Sequence, residues 1–137
     1  MFDRILQSMT LNPQRLFLID GLGALLSAFL LGVVLVQLQE WIGMPVNSLY
    51  FLAFLPCLFA LYDAYCFFRV KENIAFFIRG IALANLSYCL ISIGLALQHY
   101  QVLTTLGWAY FIIEILIVVA LVAIEWETAR RLEGAEG

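Results

Sequence analysis

One acidic residue lies deep inside the last of four long apolar segments, and its setting suggests proton chemistry. Glu114 has no Lys or Arg at a comparable depth, and Tyr110 lies about one helical turn before it. A carboxyl group buried without a cation favours its neutral form, because charge is poorly solvated in a low-dielectric environment. Such a group can bind and release a proton, or exchange a proton for a cation. Glu114 is therefore the main candidate for function; the alternative is a protonated Glu that only joins helices by a hydrogen bond.

Other polar side chains recur at helical spacing inside the apolar segments. At 100° per residue, Tyr110, Glu114 and Glu125 fall within a sector of about 60° of the fourth segment. Asn85 and Tyr88 share a face of the third segment by the same geometry. Polar side chains that face lipid are energetically unfavourable, so we expect the polar stripes of several helices to converge inside a bundle. The predicted solute-binding or proton-binding residues are Glu114, Asn85, Tyr110, Tyr88 and Ser27.

A second polar level is predicted nearer the cytoplasmic ends of the segments. Asp20, Asp63 and Arg79 each lie roughly 6–8 Å in from that boundary, at a rise of 1.5 Å per residue. Because a planar guanidinium group can serve two carboxylates, we expect Arg79 to join both in an inner charge cluster, with Glu125 close to the interface. The cluster either fixes helix packing or forms a cytoplasmic gate or lipid-headgroup site.

Four apolar segments must position these groups, and each has roughly the 20 residues needed to cross a bilayer. They cover residues 16–38, 49–68, 74–97 and 106–126. Hydrophobic residues make up 64% of the chain and charged residues 12%, with a mean hydropathy of +0.98, which excludes a water-soluble domain. Helices are expected, since a segment in lipid must satisfy its own backbone hydrogen bonds. The short connections predict one all-α integral membrane domain over residues 1–137, an up-down-up-down four-helix bundle.

The basic residues predict the orientation in the membrane. All seven lie on one side of the four segments: Arg4, Arg15, Arg69, Lys71, Arg79, Arg130 and Arg131. The loops around residues 40–47 and 98–105 contain no Lys or Arg. Because cationic residues beside spans stay cytoplasmic, both termini are predicted to be cytoplasmic. The short loops favour a bacterial inner membrane.

The two chain ends outside the segments also show helical patterns. Residues 1–12 carry Phe2, Ile5, Leu6 and Met9 on one apolar face, which predicts a short helix lying on the inner leaflet. Residues 127–137 form a predicted cytoplasmic tail. Glu127 has the spacing of a helical ion pair with Arg130 or Arg131, so the fourth helix is expected to continue into this tail.

The chain contains no pattern that predicts a metal, cofactor or nucleic-acid site. Cys57, Cys66 and Cys89 lie inside the apolar segments without a C-x-x-C motif. The single His99 lies near an outer segment end with no surrounding ligand pattern. The absence of a basic patch disfavours nucleic-acid binding, and no catalytic motif is present.

Three functions remain open at this point. The first is proton- or cation-linked binding and transport of a small solute, by a homo-oligomer in the lipid bilayer. The second is a non-catalytic subunit that packs against other membrane subunits. The third, less favoured, is an intramembrane enzyme in which Glu114 acts as acid or base on a lipid-like substrate. Ala24, Ala28 and Gly32 form a small-residue ridge that fits a dimer contact or close packing within the bundle.

Overall fold

The computed structural model of the chain is helical throughout the part it describes, residues 2–136, and that part contains no β-strand. The elements are α1 (Phe2–Leu11), α2 (Gln14–Gln37), α3 (Gln39–Ile42), α4 (Val46–Arg69), α5 (Ile74–Gln98) and α6 (Thr105–Glu136). Four of them, α2, α4, α5 and α6, are long and apolar enough to cross a membrane. The four predicted apolar segments are confirmed as these helices, and α6 continues past residue 126, as the predicted ion pair indicated. Arg130 does bind Glu127, at 2.8 Å.

Two closely packed helix pairs, α2 with α4 and α5 with α6, form the bundle. In the first pair, glycines on α2 permit the close approach. A Cβ atom added to Gly21 or to Gly32 would lie 3.2 Å from the Cβ of Asp63 or of Ala53, respectively. Gly32, one member of the predicted small-residue ridge, is therefore used for packing within the bundle.

A stretch of π-helix interrupts α2 over Leu30–Val34 and was not predicted from the sequence. At its end the backbone amide of Leu35 donates to the carbonyl of Leu30, five residues earlier. The wider turn changes the faces that α2 presents before and after it, and such stretches often occur at functional sites. Here the π-helix begins where the lining of the cavity described below ends.

Two buried apolar clusters lie toward opposite ends of the bundle. One includes Leu31, Leu52 and Phe111, and the other includes Phe17 and Ile78. Along the four long helices, most of the buried polar side chains fall between these clusters: Asp20, Asp63, Asn85, Glu114 and Glu125. Leu, Ile, Val and Phe side chains on the outside of the same helices are exposed, as expected for surfaces that face lipid.

The ends of α2 and α6 are tied together by two short helices. At one end, α1 packs mainly against α6 and also touches α2, with Leu6 only 1% exposed. At the other end, α3 contacts α6, and the amide of Thr104 donates to the carbonyl of Ile42 at 2.9 Å. The structure thus contains the predicted short N-terminal helix; its place on a membrane surface stays a prediction.

The turn after α3 requires a glycine. Gly43 has a φ of +94°, in the left-handed region of backbone conformation that residues with a Cβ atom rarely adopt. A Cβ atom there would also lie 2.0 Å from the carbonyl oxygen of Val102. This turn therefore lies directly against the loop that joins α5 to α6.

Candidate functional site

A cavity of about 380 Å³ lies among α2, α4, α5 and α6, between the two apolar clusters. Its lining includes all five residues predicted for a solute or proton site: Ser27, Asn85, Tyr88, Tyr110 and Glu114. Asp20, assigned to the inner charge cluster from the sequence, lines the same cavity. The volume is within the range of about 300–1,000 Å³ typical of small-molecule sites. The cavity wall therefore combines the predicted solute- or proton-binding residues with one residue of the predicted inner charge cluster, Asp20.

Glu114 on α6 accepts a hydrogen bond from a side chain on α5. The phenolic O–H of Tyr88 donates to Oε1 of Glu114, and Glu114 is only 8% exposed. The second carboxyl oxygen, Oε2, has no hydrogen-bond partner within the described part of the chain. Of the two partners expected for Glu114, neither Tyr110 nor Asn85 takes this position. Tyr88 occupies it because the packing of α5 on α6 directs its ring toward Glu114.

The hydroxyl group of Tyr110 is buried and unpaired within residues 2–136, although it lies on the cavity wall. Its ring packs edge-on against Phe111, with centroids 5.3 Å apart. The hydroxyl groups of Tyr88 and Tyr110 and the thiol of Cys89 all face the carboxyl group of Glu114. The surroundings of Glu114 therefore supply hydrogen-bond donors but no positive charge.

Asn85 joins three helices through its side-chain amide. The Nδ2 atom donates to Oδ1 of Asp20 at 2.6 Å and to Oε1 of Glu125 at 3.2 Å. Asp63 faces the same two carboxyl groups and is itself 1% exposed. Oδ2 of Asp20, both oxygens of Asp63 and Oε2 of Glu125 have no other partner within the described residues. Three adjacent buried carboxyl groups repel one another when they are ionised.

Arg79 does not join these carboxyl groups, contrary to the expectation from depth alone. Its guanidinium group binds Glu133 on α6 and lies 5.0 Å from the centroid of the Trp126 ring. At 100° per residue, Arg79 projects roughly 120° away from Asn85 around α5, which explains why it misses the carboxyl cluster. We therefore define the acidic cluster as Asp20, Asp63 and Glu125, without Arg79.

Several residues of the cavity wall were not predicted as site residues. Pro56 and Phe59 of α4 contribute to it, as do Leu30 of α2 and Ile117 of α6. At 100° per residue, Pro56 and Phe59 fall on the same face of α4 as Asp63, so the sequence contains a signal for these two residues. Leu30 and Ile117 carry no such signal, because apolar side chains on a membrane helix face lipid or protein equally well.

Other groups capable of chemistry do not line this cavity. Within residues 2–136, no group of three or more His, Cys, Asp or Glu side chains is placed to hold a metal ion. Cys57, Cys66 and Cys89 are free thiols, of which only Cys57 is exposed. His99 lies at the end of α5, with Nδ1 3.0 Å from the carbonyl oxygen of Leu95.

We compared the chain with protein families, curated proteins and solved structures. No family model, curated protein or solved structure matches it. The cavity and its buried carboxyl groups are thus the basis on which a function can be proposed.

Proposed function

We propose that the chain binds a small solute in the central cavity and exchanges a proton or a cation at Glu114 as it does so. The observation that carries this proposal is the cavity itself. It is large enough for a small molecule, and its wall contains two buried carboxyl groups, those of Glu114 and Asp20, each with one unpaired oxygen. A buried oxygen without a partner loses hydration without compensation, and a bound ligand would supply the missing interaction.

Glu114 is the proposed exchange group because of its position and its surroundings. It lies on the cavity wall about midway along the membrane-spanning part of α6, and the groups facing it are hydroxyls and a thiol rather than cations. Protonated, its carboxyl group is neutral and tolerates burial; once a cation binds, the carboxylate is neutralised by that cation instead. One site therefore holds either a proton or a cation, which is the requirement for coupled exchange.

The proposed arrangement in the membrane is an up-down-up-down bundle with both termini in the cytoplasm of a bacterial inner membrane. Contacts support antiparallel neighbours: Gly21 near the start of α2 approaches Asp63 near the end of α4, while Gly32 later in α2 approaches Ala53 earlier in α4. The orientation follows from the basic residues, all on one side. The acidic cluster would then lie on the cytoplasmic side of Glu114 and form a proton route to it.

Transport by such a small bundle is proposed to involve a homo-oligomer. Four helices enclose one cavity, and alternating access needs two packed units that can move against each other. A second copy of the chain would supply the second unit.

Native mass spectrometry of the protein, extracted gently from its own membrane, tests the proposal. We expect a discrete homo-oligomer that carries a bound small molecule. Glu114→Gln should abolish the pH dependence of the bound fraction between about pH 5 and about pH 9, since the amide cannot titrate. Glu127→Gln is the matched control, because Glu127 lies on the same helix outside the cavity and pairs with Arg130. A bound fraction with the same pH dependence in Glu114→Gln and wild type would refute the proposal.

A second candidate function is a non-catalytic subunit of a larger membrane complex. The observation that favours it is Gly94 on α5, where an added Cβ would meet no heavy atom within 4 Å. This glycine is not needed for packing inside the chain, and small residues on a membrane helix permit close contact with another helix. In the same mass spectrometry experiment, a fixed set of other subunits and no bound small molecule would favour this function.

A further inference from the structure

The cavity has an opening toward lipid between α2 and α6. These two helices are not a principal packed pair of the described structure, although both contribute to the cavity wall. They are linked through α1 at one end, through α3 at the other, and through Asn85, which joins Asp20 to Glu125. The middle of the two helices is therefore separated by a cleft, which we call the α2–α6 cleft.

Side chains at the rim of the cleft belong both to the cavity wall and to the outer surface. Leu26 of α2 is 59% exposed, and Ile113 and Ile117 of α6 are 57% and 64% exposed, yet all three line the cavity. A residue can do both only where the cavity reaches the surface. Because this surface belongs to the apolar parts of two membrane-spanning helices, the cleft opens toward hydrocarbon rather than toward water.

The polar part of the cavity is acidic. None of its lining residues is Lys, Arg or His, while Asp20 and Glu114 both line it. Both residues are more than nine-tenths buried, at 2% and 8% exposure, and each keeps one carboxyl oxygen unpaired within the described chain. Asn85 connects Asp20 to Glu125, so the acidic cluster continues directly behind this wall. A ligand that enters here meets an apolar wall and carboxyl oxygens that lack a donor.

We propose that the cavity binds an amphiphile with a protonated amine head, taken up from the bilayer through the α2–α6 cleft. Its alkyl or aromatic part would lie against Leu30, Phe59 and Ile117, and its ammonium group would donate to the unpaired Oε2 of Glu114, with the carboxyl group of Asp20 on the same wall. This inference rests on the proposed binding function and specifies its ligand class. An anionic head would be repelled by these carboxyl groups, and a neutral head would leave a carboxylate without a counter-charge.

The binding step balances as a proton exchange. The protonated carboxyl group of Glu114 releases its proton to solvent, and the ammonium group takes its place beside the resulting carboxylate. No covalent bond forms or breaks apart from that O–H bond. Groups that face this carboxyl are Tyr88 and Cys89 on α5 and Tyr110 on α6. Each bound ammonium group should therefore release up to one proton.

Photolabelling of the full chain in lipid nanodiscs tests this inference. The probes are three amphiphiles with the same alkyl chain and a diazirine at its end, carrying an ammonium, a hydroxyl or a carboxylate head. Labelled residues are identified by mass spectrometry of peptides. We expect the ammonium probe to label the cavity wall about tenfold more than either matched probe, the discrimination typical of a hydrogen bond to a charged group.

Two kinds of variant separate the head-group site from the opening. Glu114→Gln should lower ammonium labelling about tenfold and leave hydroxyl-probe labelling unchanged. Ile113→Trp should hinder uptake of all probes by narrowing the cleft. Ile112→Trp is its control, since Ile112 is similarly exposed at 52% but does not line the cavity. The Trp variants replace lipid-facing side chains, so they test the opening even if a carboxyl variant fails to fold.

The outcomes distinguish this inference from the function on which it rests. Equal cavity labelling by the three probes, or a preference for the carboxylate probe, overturns the amine-head assignment while leaving solute binding intact. Equal effects of Ile113→Trp and Ile112→Trp overturn uptake through the cleft. A Glu114-independent bound molecule in native mass spectrometry overturns the proposed function itself. Absence of cavity labelling by any probe, as expected if a second copy covers the cleft, overturns the ligand class and the route together.

Discussion

Asn85 provides the sharpest test of the bundle interior, because one side chain bridges three helices. Its Nδ2 atom donates to Asp20 on α2 and to Glu125 on α6, at 2.6 and 3.2 Å, and Asn85 itself lies on α5. Asn85→Leu keeps a similar size and removes both donors. The substitution therefore removes hydrogen bonds rather than packing contacts, at the place where the two helix pairs meet.

The expected magnitude follows from these two bonds. Interhelical hydrogen bonds in membrane proteins contribute about 0.6 kcal/mol on average and at most about 1.7 kcal/mol each. Two of them give about 1–3 kcal/mol. The upper half of this range is expected, because both acceptors are buried carboxyl oxygens. The other carboxyl oxygens of the acidic cluster already lack a partner, so none of them can replace the lost donor. We therefore expect Asn85→Leu to lower the free energy of unfolding by about 2–3 kcal/mol.

Reversible unfolding in mixed micelles of a mild detergent and SDS, followed by tryptophan fluorescence, measures this change. The control is Thr128→Val, because Thr128 is fully buried and its hydroxyl has no partner within the described residues. Replacing an unpaired buried hydroxyl by a methyl group of similar shape should leave the free energy of unfolding unchanged or raise it. A loss of stability in Asn85→Leu no larger than that in Thr128→Val would refute the bridging role.

Three further predictions concern the packing of α2 on α4, the turn at Gly43 and the ion pair of Arg79. All are measured in the same unfolding experiment. Gly32→Leu should cost about 1–3 kcal/mol by forcing α2 from α4, whereas Gly94→Leu should cost less than about 1 kcal/mol, since an added Cβ there meets nothing within 4 Å. Gly43→Ala should cost at least about 2 kcal/mol, through its left-handed φ and the clash with a carbonyl oxygen. Arg79→Gln should cost about 0.5–1.5 kcal/mol, because it loses a partly exposed ion pair and a cation–π contact.

Each of these predictions has a contrary outcome. Equal costs for the substitutions at positions 32 and 94 would contradict the close approach of α2 and α4. A neutral Gly43→Ala would contradict the tight turn against the α5–α6 loop. For Arg79, the matched comparison is Arg130→Gln, whose 2.8 Å ion pair with Glu127 is local to one helix. An equal loss in both Arg variants would contradict a tertiary role for Arg79.

The main outline of the fold was predictable from the sequence because it depends on local properties. The length and apolarity of a segment determine whether it can span a bilayer, and a spanning segment must be helical. Helical periodicity likewise determines which residues of one helix share a face. Tyr110 and Glu114 on α6, and Asn85 and Tyr88 on α5, could therefore be assigned to common polar stripes, and all four line the cavity.

The partners across helices could not be predicted in this way. Depth placed Arg79 level with Asp20 and Asp63, yet the rotation of α5 directs it to Glu133. The same rotation brings Tyr88 to Glu114 and Asn85 to Asp20. Depth gives only one coordinate of a side chain, whereas its neighbours depend on how every helix is rotated about its axis and packed.

The sequence by itself determined four apolar helices, the faces of their polar residues and the asymmetry of the basic residues. Only the tertiary structure decided that Asp20 borders the same cavity as Glu114, that Leu30–Val34 forms a π-helix, and that α2 and α6 are linked through α1, α3 and Asn85. The physical reason is that hydropathy and periodicity act within one helix. A cavity and its opening arise from the space left between helices, which depends on all four packing together.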